Sequence, residues 1–192
     1  MRLVIICMAL TGALVSPAFA HTGLQQTNSL ASGVAHPFNG SDHIIAMVAV
    51  GLWSVLAGGS AIWVWPIAFL ATMLAGFVAA TLGLQMPFVG PIIWSSIVAL
   101  GLFVALAVKA PLWSGAAITG LFAFFHGHAH GTEAMAASLM TYAAGFALAT
   151  AGLHAVGIGL GVLAERSIGK VALRTMGGLA AFGGVALMAG WT

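Results

Sequence analysis

The chain has 192 residues, of which 61% are hydrophobic and only 4% charged, with a formal net charge of +2. A water-soluble domain carries about 25% charged residues, so five basic and three acidic side chains cannot cover a soluble surface. The same scarcity excludes a nucleic-acid-binding protein, which needs clustered basic residues. The surface of this chain is expected to face lipid and other helices.

The first twenty residues read as a secretory signal peptide. Arg2 supplies the positive start, Leu3 to Leu14 the apolar stretch, and Ala18-Phe19-Ala20 an A-x-A cleavage site. An uncleaved anchor is the alternative, but the apolar run is short for a span and Pro17 breaks it. The single cysteine, Cys7, lies inside this segment, so the mature chain is expected to have no thiolate ligand. Cleavage after Ala20 would make His21 the N-terminus, where its amine and imidazole form a chelating pair. A plain disordered tail is the competing reading of that residue.

His21 to Ala35 is a polar segment rich in Gln, Thr, Asn, Ser and Gly. Six apolar stretches follow, each of about the length that crosses a bilayer: Asn39–Ala57, Ala61–Leu84, Val89–Val108, Leu112–Gly131, Ala136–Ala164 and Val171–Trp191. The breaks between them are small. The expected architecture is an all-α polytopic membrane protein, with a signal peptide over 1–20 and one six-helix domain over 21–192. The 26 glycines suit it, because small residues let membrane helices approach closely. Among the prolines, only Pro66 is expected well inside a helix.

A cleaved signal leaves the new N-terminus outside, so the loops after the first, third and fifth spans face the cytoplasm. Lys109, Arg166 and Lys170 fall in those loops, Arg174 follows within one turn, and the outer loops have no Lys or Arg. This obeys the positive-inside rule and puts both termini on the outer face. The halves of the chain are not convincingly alike, so no internal repeat is read.

Two short motifs hold most of the histidines and carboxylates. The first is His36-Pro37-Phe38-Asn39-Gly40-Ser41-Asp42-His43 and the second is Phe125-His126-Gly127-His128-Ala129-His130-Gly131-Thr132-Glu133. Ionisable groups are rare in membrane sequence unless they serve a purpose. Under the six-span topology both motifs fall at the same depth, on the outer face. Pro37 argues against a continuous helix through His36, and a bend at Pro37 and Gly40 could fold His36 back over Asp42 and His43. A simple helix start, with Asp42 capping free amides, is the plainer reading; it leaves the two histidines unexplained. In the second motif His126, His130 and Glu133 recur at i, i+4 and i+7, one stripe of a helix. Two imidazoles on such a stripe can reach one metal ion, and Glu133 can be a third ligand or can orient His130. Interhelical hydrogen bonding is the alternative.

Five further residues are weaker candidates. His128 points away from the stripe. His154 stands alone in the fifth span, where it could be packing glue, a deeper coordination stop or a proton carrier. Met47 and Met135 lie near the motifs and could offer sulfur, although most membrane methionines simply pack. His21 completes the set.

With these residues laid out, the sequence resembles the HupE/UreJ family of small bacterial membrane proteins, associated with nickel supply to hydrogenase and urease. The family pattern HPxxGxDHxxAM falls on His36, Pro37, Gly40, Asp42, His43, Ala46 and Met47. Its second pattern, FHGxxHGxE, falls on Phe125, His126, Gly127, His130, Gly131 and Glu133. The resemblance implies a secondary permease of the bacterial inner membrane for Ni²⁺, with Co²⁺ transported by relatives.

The expectation is therefore an importer that is not an enzyme and carries no prosthetic group. It would take Ni²⁺ or Co²⁺, with Zn²⁺ also admitted by the ligand set, at His36, Asp42, His43, His126, His130 and Glu133. Its partners would be the ion, membrane lipid, a second copy of itself, and indirectly a nickel or cobalt enzyme. No GxxxxGK[ST] motif is present to bind nucleotide, so the membrane potential or a proton gradient would drive transport, with protonation of the histidines aiding release. Two other classes compete: an intramembrane zinc hydrolase using the same cluster, and a b-type cytochrome with histidine pairs on haem.

Overall fold

The computed structural model describes residues 30–134, 139–167 and 169–191. The signal segment with Cys7, His21 and Met135 lie outside the described residues. Those described form seven α-helices and one 3-10 turn, with no strand among them. In chain order they are α1 (Leu30–Ala35), the 3-10 turn His36–Phe38, α2 (Ser41–Ala57), α3 (Ala61–Thr81), α4 (Val89–Ala105), α5 (Leu112–Glu133), α6 (Leu139–Ser167) and α7 (Lys170–Met188).

Three of them, α3, α6 and α7, are long and apolar enough to cross a membrane. The bent unit of α1, the 3-10 turn and α2 makes a fourth if taken as one span. The apolar helix α4 is shorter, at 17 residues. The bend lies at Asn39-Gly40 and turns the chain through 83°; the sequence predicts Gly40 there, whereas Pro37 lies inside the first arm, in the 3-10 turn.

Several boundaries differ from the sequence reading. The first long helix starts at Ser41 rather than Asn39, and α5 runs on through Glu133, whereas the sequence places a break from Thr132. α3 ends at Thr81 because the backbone reverses at Gly83 (φ 89°), and the Leu84 amide closes the turn on the Ala79 carbonyl at 3.0 Å. The short helix α1 lies inside the segment read as a polar tail. Six residues are too few to display a helical period, and what holds α1 is tertiary packing. Gly33 rests against the Tyr142 backbone and Gly145 against that of Leu30, so α1 lies directly on α6.

Glycines bring the long helices together in pairs. Any side chain at Gly76, Gly127 or Gly131 would overlap the backbone of the facing helix in the α3–α5 pair. Gly101, Gly177 and Gly184 do the same between α4 and α7, and Gly51 and Gly157 between α2 and α6. Close backbone approach of this kind is how membrane helices gain packing energy where lipid removes the hydrophobic drive between them. The outward surface is apolar, with Trp113 76% and Leu148 62% exposed, whereas His43, Thr150 and His154 are buried. That inverts the distribution of a water-soluble protein and agrees with a membrane environment.

The two ends of the bundle differ. One carries both histidine motifs; at the other lie Lys109, Arg166, Lys170 and Arg174, and the Arg174 guanidinium donates to the Ala105 carbonyl at 2.7 Å. Toward this basic end, the rings of Trp53 and Trp65 pack at a tilt of 42° with centroids 4.4 Å apart, both fully buried. Their indole N–H groups donate to the carbonyls of Val108 and Leu112, each at 2.9 Å. The interior is thus sealed by a tryptophan pair tied to the α4–α5 connection.

Candidate metal centre

Each motif residue is placed by a local feature of its own segment. The 3-10 turn His36–Phe38 and the bend that follows it carry the His36 imidazole across to α5. Its Nε2 lies 2.7 Å from His130 Nδ1, and the two rings meet nearly at right angles. Glu133, one turn beyond His130 on α5, places Oε2 3.5 Å from both of those nitrogens. Two imidazoles and a carboxylate therefore form a triangle with edges of 2.7, 3.5 and 3.5 Å. With metal–ligand bonds of about 2.1 Å, neighbouring ligand atoms stand about 3.0 Å apart at right angles and about 3.4 Å apart in a tetrahedron. The triangle has the dimensions of one face of a coordination polyhedron. It is also the two-histidine, one-carboxylate set that suits first-row transition metals and leaves positions open.

The triangle sits at the mouth of the bundle. The Glu133 side chain is 61% exposed, that of His36 21% and that of His130 15%. Beside it opens a cavity of about 430 Å³ lined by Asp42, Met86, Trp94, His128, His130 and Glu133. Asp42 is not a corner of the triangle. Its Oδ1 accepts the His43 amide at 2.8 Å, satisfying a first-turn donor of α2, while its carboxylate lines the cavity. Asp42 thus both holds a first-turn amide and presents a carboxylate to the cavity.

From the triangle a polar column leads inward. His130 Nε2 lies 3.1 Å from His43 Nδ1, and His43 Nε2 lies 3.4 Å from Thr150 Oγ1. Thr150 donates to the Met73 thioether at 3.8 Å. One tautomer for all three histidines, protonated on Nε2, satisfies every link in the direction His36, His130, His43, Thr150, Met73. His126 stands beside the column, its ring 5.7 Å from that of His43. Its Nδ1 donates to the Phe122 carbonyl at 3.0 Å, which leaves Nε2 as the lone-pair end.

The family model described as HupE / UreJ protein matches residues 8–187. The chain belongs to the HupE/UreJ family. A curated relative, "Protein HupE" of Rhizobium leguminosarum bv. viciae, is 46% identical over 179 residues, covering 93% of each chain. No solved structure matches the chain. Both HupE/UreJ patterns read in the sequence therefore sit in one place. They meet at the mouth of the bundle, and the tight group of metal-capable residues among those described is His36, His130 and Glu133.

Of the six residues expected to share one site, this HupE/UreJ chain brings those three into the triangle. His43 stands one step inward, His126 beside it, and Asp42 on the cavity wall. His128 lines the same cavity, but its Nε2 donates to the Leu84 carbonyl at 2.7 Å and so pins the α3–α4 connection. Met47 is fully buried among apolar residues. The thioether that joins the polar column is instead that of Met73, which the sequence did not single out, nor did it single out Thr150. Both lie in apolar helices; the one local signal is that Thr150 stands four positions before His154, one turn away on the same helix. His154 is buried, with its ring 5.1 Å from that of Phe69. Four buried side-chain nitrogens have no protein partner among the described residues: His126 Nε2, His128 Nδ1 and both nitrogens of His154. Each such atom costs about 1–3 kcal/mol, and packing alone explains none of them.

Proposed function

We propose that the protein is a carrier that brings a divalent transition-metal ion, Ni²⁺ foremost and Co²⁺ next, across the inner membrane. The observation that carries this reading is the triangle of His36, His130 and Glu133 at the mouth of a helix bundle. Its ligands match a borderline ion, and its open positions allow exchange rather than permanent retention. Family membership supports the same conclusion, because the resemblance seen in both motifs implies nickel transport. No observation favours the hydrolase or cytochrome reading.

On this reading the ion enters the cavity, attracted by Asp42 and Glu133, and sheds water as His36, His130 and Glu133 replace it. It then passes along the column past His43. Two carboxylates match its double charge where the dielectric is low. An inward-negative potential drives the step, supplying about 4.6 kcal/mol for two charges across 100 mV. All six long helices cross the membrane, with both termini outside, after removal of residues 1–20. The delivered ion serves a nickel or cobalt enzyme in the cytoplasm.

The test is uptake of radioactive nickel and cobalt into proteoliposomes holding the purified, signal-cleaved protein, with and without an imposed potential. Saturable uptake, enhanced by a negative interior and suppressed by competing ions, is expected. Absence of uptake together with tightly retained zinc would overturn the reading.

A further inference from the structure

Inward of His43 the column does not end in packing. Phe69 and Met73 lie one turn apart on α3, and Thr150 and His154 lie one turn apart on α6. Two rungs connect these helices: Thr150 Oγ1 to Met73 Sδ at 3.8 Å, and the His154 ring to the Phe69 ring at 5.1 Å. The Phe69 ring also touches His126, with centroids 5.9 Å apart. One aromatic face is therefore flanked by two imidazoles that together present three unpaired nitrogens, His126 Nε2 and both of His154. His126, His154, Thr150 and Met73 are all buried, with at most 1% of any of them exposed.

A histidine that merely glues helices has a partner, because an unsatisfied donor or acceptor weakens the packing it is meant to secure. His154 has none among the described residues. The donors grouped with it are a second imidazole, a thioether and a hydroxyl, none of them a carboxylate. This donor set favours borderline and soft ions over Mg²⁺, Ca²⁺ and Mn²⁺. With no charged donor of its own it also holds a divalent ion less firmly than the triangle at the mouth. A transport path needs such a gradation, since a stop that binds too tightly does not release.

We propose that His126, His154, Met73 and Thr150 form a second, buried halt for the ion, which selects by its thioether and imidazole donors. The proposal rests on the carrier reading above, and it adds a site that neither histidine motif contains in full. The ion leaves His43, passes the Thr150–Met73 rung and is held against Phe69 by His126 and His154 before the tryptophan seal.

The experiment compares His154→Gln and Met73→Leu, which preserve side-chain size, with His36→Ala, in the full signal-cleaved chain. Nickel uptake into proteoliposomes and equilibrium nickel binding in detergent are read together, with X-ray absorption at the nickel edge to detect sulfur in the coordination shell. Both inner variants are expected to lose about tenfold or more in uptake, with overall binding changed less than about twofold. His36→Ala is expected to weaken binding itself, and its residual bound nickel should show a sulfur neighbour that Met73→Leu removes. Competition by Mn²⁺ should become stronger in Met73→Leu. Normal uptake by both inner variants, or nickel without sulfur in His36→Ala, overturns the inner halt. If the wild type shows no uptake, the carrier reading fails, and the inner site is judged by the sulfur signal alone.

Discussion

His36 and His130 stand 94 positions apart in the chain, yet their ring nitrogens lie 2.7 Å from each other. Nothing local holds them so close. His36 is delivered by the turn at Pro37, and His130 is presented by a helix whose next turn carries Glu133. An ion replacing the hydrogen bond between them would tie the two motifs together. Removing either imidazole leaves two corners of the triangle. His36→Ala and His130→Ala are each expected to lower nickel uptake by at least about tenfold, while immunoblots find the protein in the membrane at normal levels. Unchanged uptake by both would exclude the triangle as the point of capture.

Asp42 offers a test that separates charge from shape. Asn accepts a first-turn amide as well as Asp does, so Asp42→Asn should preserve the 2.8 Å contact with the His43 amide and the start of α2. What it loses is the negative charge on the cavity wall. Uptake is expected to fall about tenfold or more, with the midpoint of thermal unfolding unchanged. A large fall in that midpoint would assign Asp42 to helix capping instead.

His128 should behave differently from its neighbours, although it lies in the same motif. Its bond to the Leu84 carbonyl anchors a connection and not the ion. His128→Ala is expected to cost about 1 kcal/mol of stability and to speed proteolysis in the 82–88 connection. Its nickel uptake should remain within about twofold of wild type. A loss as deep as that of His130→Ala would make His128 a ligand.

The glycine contacts predict opposite outcomes for the same substitution. A methyl group at Gly127 would overlap the Met73 carbonyl, so Gly127→Ala should destabilise the bundle by about 1–3 kcal/mol. At Gly152, in α6, no atom lies within 4 Å of the new carbon. There Gly152→Ala should be neutral or stabilise by about 0.5–1 kcal/mol through helix propensity. Unfolding in detergent, followed by circular dichroism, measures both. Equal effects would mean that α3 and α5 are not in backbone contact.

Much of the architecture is legible in the amino-acid sequence. Composition excludes a soluble fold, the apolar runs locate the six long helices, and the i, i+4, i+7 stripe places His126, His130 and Glu133 on one helix. Pro37 and Gly40 announce the turn and the bend that bring His36 inward. The illegible parts have physical causes. The helix Leu30–Ala35 is maintained by contact with α6 and not by its own six residues. His128 is tied to a carbonyl, and backbone acceptors leave no mark in a sequence. Met73 and Thr150 become distinctive only when α3 and α6 are side by side, because a thioether or hydroxyl in an apolar helix otherwise looks like packing. How the six candidates divide between the triangle and its surroundings is hidden for a similar reason. Spacing shows which residues share a helix face, not how deep each sits.

The glycine pairs carry one more consequence. Gly33, Gly145, Gly51 and Gly157 fasten α1 and α2 to α6, while Gly76, Gly127 and Gly131 fasten α3 to α5. His36, Asp42, His43, Thr150 and His154 all belong to the first block; His126, His130, Glu133, Phe69 and Met73 all belong to the second. Every polar link of the column from His36 to Met73, except that between His43 and Thr150, crosses the boundary between the blocks. None of these glycine contacts crosses that boundary, so the two ligand-bearing blocks could slide along it without breaking one. An ion on the triangle, gripped by His36 from one side and by His130 and Glu133 from the other, would act as a rivet through it.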